Sequence, residues 1–433
     1  MRKKGVLGMK LKRITPVLVV VLLTVFALAG CGAPPVPSGK ENAEVKESNT
    51  SGDSIPIGIL VPYTGEMGAF GVSVFDGAKT AVEEINKAGG PLGKPIKLYT
   101  EDDRSRVEDG IKGFKKLVNT NKVVAVNGPL SDSMLAVMDY ARDSQVLITS
   151  PMAGSIEIDN IENPYKFRSV PSDAMDGKVV AKFLLDQGFK EIALLYQNDE
   201  SKESIAKTAG EEFKKLGGKL VAEIPFNPGQ TTYQAELQKV YASKPQLLFL
   251  SAGQESGSTI LKNWYQQNYG GKIMLSADMA VQRIIDITGK KIMEGIWTEV
   301  SSSSTDSEWY KRYEKLHKDF AGKEPGPFSA NSYDMQVILA LATEAAGKTE
   351  GKAIAENMRK VANPPGEVVH TYEEGIKLLR EGKKINYEGV SGSVDFDDKG
   401  NVYGSYSILQ VQDGKWQQVK YYPADMWLDK KAD

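Results

Sequence analysis

The chain has 433 residues, of which 41% are hydrophobic and 25% charged, a globular composition with length for two or more domains. Its formal charge of −2 offers no basic footprint for a phosphate backbone, so nucleic acid is not an expected partner. Two histidines, His317 and His370, and one cysteine, Cys31, supply too little for histidine-dependent catalysis or a His/Cys metal site, and no intramolecular disulfide can form.

At the start, Arg2, Lys3, Lys4, Lys10, Lys12 and Arg13 precede an apolar run from Ile14 to Ala27, which ends in Leu28-Ala29-Gly30-Cys31. This is the pattern of an export signal with a lipobox. The run falls short of the roughly 20 residues that span a bilayer. Residues 1–30 are therefore expected to be removed and Cys31 to be lipidated. Several acyl chains, at about 0.8 kcal/mol per buried CH₂, hold a soluble domain firmly to a membrane. Losing six basic residues and no acidic one lowers the formal charge from −2 to −8. Residues 31–54 are rich in Pro, Gly, Ser, Asn, Glu and Lys, and read as a disordered tether.

At Ile55 the character changes. Ile57-Gly58-Ile59-Leu60-Val61 reads as a strand buried on both faces, followed by a helix with Val74, Ala78, Ala81, Val82 and Ile85 on one stripe. Strands are predicted at Ile96 to Thr100, Val123 to Val126, Val146 to Thr149 and Phe167 to Val170, with helices at Val107 to Val118 and Ser133 to Arg142. The alternation then restarts. Helices at Ala174 to Gln187, Ser204 to Leu216, Tyr233 to Tyr241 and Ser256 to Gln267 alternate with strands at Ile192 to Tyr196, Leu220 to Phe226, Leu247 to Ser251 and Lys272 to Ala277. Helices follow near Glu308 to Phe320, Asn331 to Ala346, Gly351 to Val361 and Tyr372 to Arg380, and Asp413-Gly414 marks a hairpin between Ser405 to Val411 and Lys415 to Tyr421. The expected fold is α/β, with two doubly wound parallel sheets in tandem.

Ligands of such sheets sit beyond the carboxyl ends of the strands, where helix N-termini present unpaired N–H groups. Polar residues just after strands are thus the candidates. Gly65, Gly68 and Gly71 lack the spacing of a dinucleotide loop, and Gly93-Lys94 lacks the first glycine and the Ser/Thr of a phosphate loop. Asp395 to Gly400 begins like a calcium loop, but Tyr406 stands where a bidentate Glu is required. The run Ser301 to Ser304 reads as a solvated loop, with no nucleophile signature near either histidine. Gly128-Pro129-Leu130-Ser131-Asp132-Ser133 opens a helix, so Ser131 or Ser133 either caps it or grips a ligand carboxylate. Thr149 to Ser155 presents carbonyls and hydroxyls, and Asp278 could pair with a cation from the opposite unit.

These residues, together with Gly58 to Gly65, Gly77-Ala78, Ile85 to Gly90, Asp102-Asp103, Ser150-Pro151, Ser332-Tyr333-Asp334 and Tyr387 to Asp397, resemble the type I periplasmic binding proteins that serve branched-chain amino-acid ABC transporters. The resemblance runs from Ile57 to Tyr421. It implies two Rossmann-like lobes joined by a three-segment hinge, residues 55–170 plus 300–390 forming the first and 171–299 plus 391–425 the second. It implies crossings near Pro171, near Val300 and near Val390 to Phe396. By the same resemblance the loop at Ser131 binds a ligand carboxylate, Ala153, Gly154 and Ser155 help hold its ammonium, and Asp278 neutralises it. Ser133, Ser201, Tyr63, Phe70 and Tyr333 complete the candidate site, the aromatics either as walls of the cleft or as core. The sequence departs from the family pattern at Gly154, where Thr is common, and at Ser201 and Gly253, where Tyr is common. No cofactor, metal or catalytic group is expected. The implied role is capture of an amino acid or related small solute outside the cytoplasm by a membrane-anchored lipoprotein. The implied partners are an ABC permease and ATPase. A solute sensor using the same cleft is the alternative.

Overall fold

The computed structural model describes residues 54–301, 305 and 307–426; the export signal, Cys31, the tether up to residue 53 and Ser302 to Ser304 lie outside the described residues. In chain order the first lobe has β1 (Ile55–Val61), α1 (Gly68–Lys87), β2 (Ile96–Asp102), α2 (Val107–Asn119), β3 (Ala125–Asn127), α3 (Ser131–Asp143), β4 (Leu147–Ser150) and β5 (Lys166–Arg168). These strands form a five-stranded parallel sheet in the order β2-β1-β3-β4-β5. β1 shows why it is buried on both sides. Ile57 joins the cluster around Tyr333 and Ile338, Ile59 and Val61 pack on Phe70 and Val74, and Leu60 packs on Phe114, Val126 and Ile148 on the other face.

The second lobe has α4 (Asp173–Asp186), β6 (Glu191–Gln197), α5 (Glu200–Lys215), β7 (Lys219–Phe226), α6 (Gln234–Ala242), β8 (Leu247–Ser251), α7 (Gln254–Gln266), β9 (Lys272–Leu275), α8 (Gln282–Thr288), α9 (Lys290–Met293) and β10 (Trp297–Ser301). The chain then returns to the first lobe with α10 (Glu308–Ala321), α11 (Ser329–Ala346), α12 (Gly351–Ala362), β11 (Glu367–Val369), α13 (Tyr372–Arg380) and β12 (Ile385–Tyr387), and ends in the second with β13 (Tyr406–Gln412) and β14 (Lys415–Tyr422). The second sheet runs β14-β13-β10-β9-β8-β6-β7. Leu248 and Leu250 face one core, Leu247 and Phe249 another.

Three features differ from the sequence expectation. The second sheet is mixed rather than parallel, because β13 pairs antiparallel with β10 and with β14. Asp413 and Gly414, both at positive φ, close that hairpin in the manner of a two-residue primed turn. The third crossing falls later than residues 390–396: Val394, Phe396 and Val402 belong to the first-lobe core, with the Phe396 ring edge-on to Phe167 at 5.0 Å. Residues 391–402 thus pack with the first lobe. Finally, α5 begins at Glu200 instead of Ser204, because Asp199 caps it by accepting the Lys202 N–H at 3.0 Å. The polar first turn carries no apolar period, so only the cap reveals it.

The first and third crossings run side by side, bridged at Pro171 and Val402. α11 is buried almost all round and lies against α1. They approach closely at Gly77, where an added Cβ would stand 2.0 Å from the Ser329 carbonyl oxygen. Gly77→Ala is therefore expected to destabilise the protein by about 1–3 kcal/mol through overpacking. The measurement is a fall in urea midpoint with an unchanged m-value.

Candidate functional site

Strand order reverses between β1 and β3 in the first sheet and between β6 and β8 in the second, so the loops leaving these strands diverge and open a crevice in each lobe. The two crevices face each other. Glu66, between β1 and α1, reaches across: its Oε1 accepts from Ser256 Oγ at 3.1 Å and its Oε2 from Gln197 Nε2 at 3.2 Å. A Cβ at Gly253 would lie 2.1 Å from Glu66 Oε2, so a larger residue there would push the Glu66 carboxylate off its present position. A second bridge runs from Ser155 Oγ to Glu200 Oε1 at 2.6 Å, and the Ile156 N–H donates to Ser204 Oγ at 3.2 Å. The lobes are in contact, and the space between them holds the protein's own side chains.

On the first-lobe side, neither Ser131 nor Ser133 caps α3; Leu130 occupies the N-cap and makes no side-chain cap. Ser131 Oγ instead accepts the Ser155 N–H at 3.2 Å, and Ser133 packs against Gly110 of α2. Ser150 shapes the next loop. Its hydroxyl donates to the Pro129 carbonyl at 2.7 Å and accepts from the N–H groups of Met152 and Ala153. The carbonyls of Ala153, Gly154 and Ser155 all accept from Arg168 Nη1, at 3.3, 3.2 and 3.2 Å. Arg168 is fully buried and also pairs with Asp159. These three carbonyls, expected to face a ligand ammonium, face a guanidinium of the same chain. At Gly154 an added Cβ would meet Asp173 Oδ1 at 2.0 Å.

On the second-lobe side stands Lys202, one residue beyond the predicted contact Ser201. Ser201 is half-buried on the first turn of α5, whereas Lys202 is only 4% exposed. Its Nζ lies 3.5 Å from Asp278 Oδ2 and 3.9 Å from Asp199 Oδ1. Burial alone would lower its pKa, but Asp199, Asp278, Asp132 and Glu66 outweigh burial and raise it, so the ammonium stays charged. Asp278 does meet a cation, but one from its own lobe. Asp132, at the start of α3, is pushed up to about 6 by burial and then by Asp199 across the cleft.

The aromatic candidates divide. Tyr333 is fully buried in the first-lobe core and its OH donates to Glu84 at 2.5 Å, so it lines no cleft. Phe70 is buried beside Phe328, with ring centroids 5.5 Å apart, in a cluster that includes Val281 of the second lobe. Tyr63 is half-buried, edge-on to Phe75. Sequence reasoning missed Glu66, Gln197, Glu200, Lys202, Ser256 and Arg168. The available signal was their place at strand ends or in the loop and first helical turn that follow, which singles out no side chain. Among the described residues no group of three or more His, Cys, Asp or Glu is placed to hold a metal ion.

Below the cleft, where the crossings enter the second lobe, Asp173 and Asp176 of α4 and Glu299 of β10 form a buried acidic cluster. Tyr406 OH donates to Asp176 Oδ2 at 3.1 Å. Burial, and then the charge of Asp173, raises Asp176 well above the carboxylate range; burial, and then Asp176, does the same to Glu299. Both folded values exceed the unfolded ones, so the folded form binds more protons. The stability they contribute is complete below the ordinary carboxylate value of about 4 and is lost as pH rises through the raised values. The thermal midpoint should therefore fall as pH rises above the ordinary carboxylate value of about 4. Asp176→Asn and Glu299→Gln, which keep the shape and remove the titration, should each flatten that slope in a melting series.

The profile of the periplasmic binding protein family matches residues 54–415, and the chain belongs to that family of solute-binding proteins. The chain is 24% identical over 351 residues to the leucine-, isoleucine-, valine-, threonine- and alanine-binding protein of Pseudomonas aeruginosa, covering 81% of this chain and 87% of that one. It is equally identical, over 376 residues, to the chemotactic signal transduction system substrate-binding protein BasB of Halobacterium salinarum, covering 84% and 88%. Among solved structures it superposes on the leucine-binding protein LivK of Thermotoga maritima with a TM-score of 0.75 at 21% identity, over 86% of this chain and 99% of that one. A solute-binding protein of an ABC transporter from R. palustris, in complex with benzoate, gives 0.71 at 18% identity, over 86% and 97%. The fold is that of the type I members, as the resemblance implied.

Proposed function

We propose that the protein is the extracytoplasmic solute receptor of an ABC importer, held to the membrane through lipid on Cys31. It captures an amino acid or related small solute between its lobes and delivers it to a permease. The observation that carries this reading is the pair of opposed crevices, bridged by Glu66 to Ser256 and Gln197 and by Ser155 to Glu200. Each bridge joins a loop of one lobe to a helix start or strand end of the other, so rotation about the three crossings would break them together. A solute entering the open form would replace part of this network with its own polar groups, and closure would desolvate them. No described helix is long and apolar enough to cross a membrane.

A sensing role uses the same cleft and is favoured by one observation, the similarity to a substrate-binding protein of a chemotactic system. Co-purification with a permease and ATPase, rather than with a transducer, would decide for transport. For binding itself, a thermal-shift series with amino acids, amides and small carboxylates should reveal a ligand. At 100 times its dissociation constant a ligand stabilises the folded protein by about 2.7 kcal/mol. A series without any shift would overturn the reading. Cys31→Ser should release the protein from the membrane fraction into the soluble one.

A further inference from the structure

The family resemblance assigns Asp278 to a solute's ammonium, and the structure places Lys202 of the same lobe against that carboxylate. The remaining acids of the cleft each accept from the protein. Glu66 accepts from Ser256 and Gln197, Glu200 from Ser155, Asp199 from the Lys202 N–H and from Gln197, and Asp132 from the Glu200 N–H. The first-lobe carbonyls of Ala153, Gly154 and Ser155 are turned to Arg168. The Lys202 ammonium is different. It has three donors, and its two carboxylate partners stand at 3.5 and 3.9 Å, well beyond the roughly 2.8 Å of a charge-assisted hydrogen bond. The group best placed to donate a new, shorter hydrogen bond in this cleft is therefore a cation of the chain, the Lys202 ammonium.

We propose that Lys202 is a specificity-determining residue: it neutralises Asp278 from within the second lobe, and its ammonium receives the solute's carboxylate there. This rests on the solute-binding reading above and reverses the polarity that the family resemblance implies. The solute class is a small organic carboxylate. A bare carboxylate adds a negative charge beside Glu66, Asp132, Asp199, Glu200 and Asp278, whereas a zwitterion adds none. An α-amino acid should accordingly bind more tightly than its deaminated analogue, with its ammonium on the first-lobe side, near Glu66 and Asp132.

The test has two arms on the full-length protein. In the first, without added solute, the melting midpoints of Lys202→Met, Asp278→Asn and the double variant are compared. A double variant melting above the sum of the single losses supports the internal pair; simple additivity overturns it. In the second, calorimetric titrations use the twenty amino acids, benzoate, and the deaminated and decarboxylated analogues of any amino acid that binds. Carboxylate-bearing probes should bind, the decarboxylated amines should not, Lys202→Met should weaken carboxylate binding at least tenfold, and Lys202→Arg should retain most of it. Amines that bind as well as the parent amino acid, or carboxylate affinity intact in Lys202→Met, would overturn the proposal alone. A wild-type protein that binds no probe would overturn the solute-binding reading beneath it.

Discussion

A strand in a parallel sheet covered by helices on both faces favours apolar side chains along its length, and this constraint organises the molecule. Ile57, Ile59 and Leu60 of β1 and Leu247 to Leu250 of β8 show its result, each residue packed into one of two cores. Polar residues begin where the strands end, at Asn127, Ser150, Gln197 and Ser251 and, just beyond β9, at Ser276. Most polar groups that meet between the lobes thereby lie at one edge of each sheet. Two such edges turned toward each other make the cleft.

Within that cleft, charge is the dominant problem. Glu66 and Asp132 from one lobe meet Asp199, Glu200 and Asp278 from the other, around one buried ammonium. Leaving any of these carboxylates buried without a donor would cost more than the pair interactions return, because desolvation of an unpaired charge exceeds most single contacts. The structure answers with short local donors for the carboxylates and with Lys202 at the centre. Below the cleft a further solution appears: burial, and then a neighbouring carboxylate, raises Asp176 and Glu299 well above the carboxylate range.

Two glycines follow from the same crowding of acids. An added Cβ would meet Asp173 Oδ1 at 2.0 Å at Gly154 and Glu66 Oε2 at 2.1 Å at Gly253. The second sheet's antiparallel edge and the late third crossing have a similar origin in packing. Phe396 seats on Phe167 in the first core, and only after Val402 is the chain free to leave it.

The sequence by itself determined the α/β alternation, the position of nearly every long element and the family. These follow from short-range apolar periods and from motifs read in order. It located the candidate site only to loops. Ser131, Ala153, Gly154, Ser155 and Asp278 do sit at strand ends or helix starts, yet what each touches was not legible. Asp278 meets Lys202 rather than a free ligand group, the loop carbonyls meet Arg168, and Tyr333 belongs to the core. Tertiary structure alone decided these, because the partners lie 13 to 249 residues apart along the chain and their pairing depends on how the separately built sheets and helices are packed together.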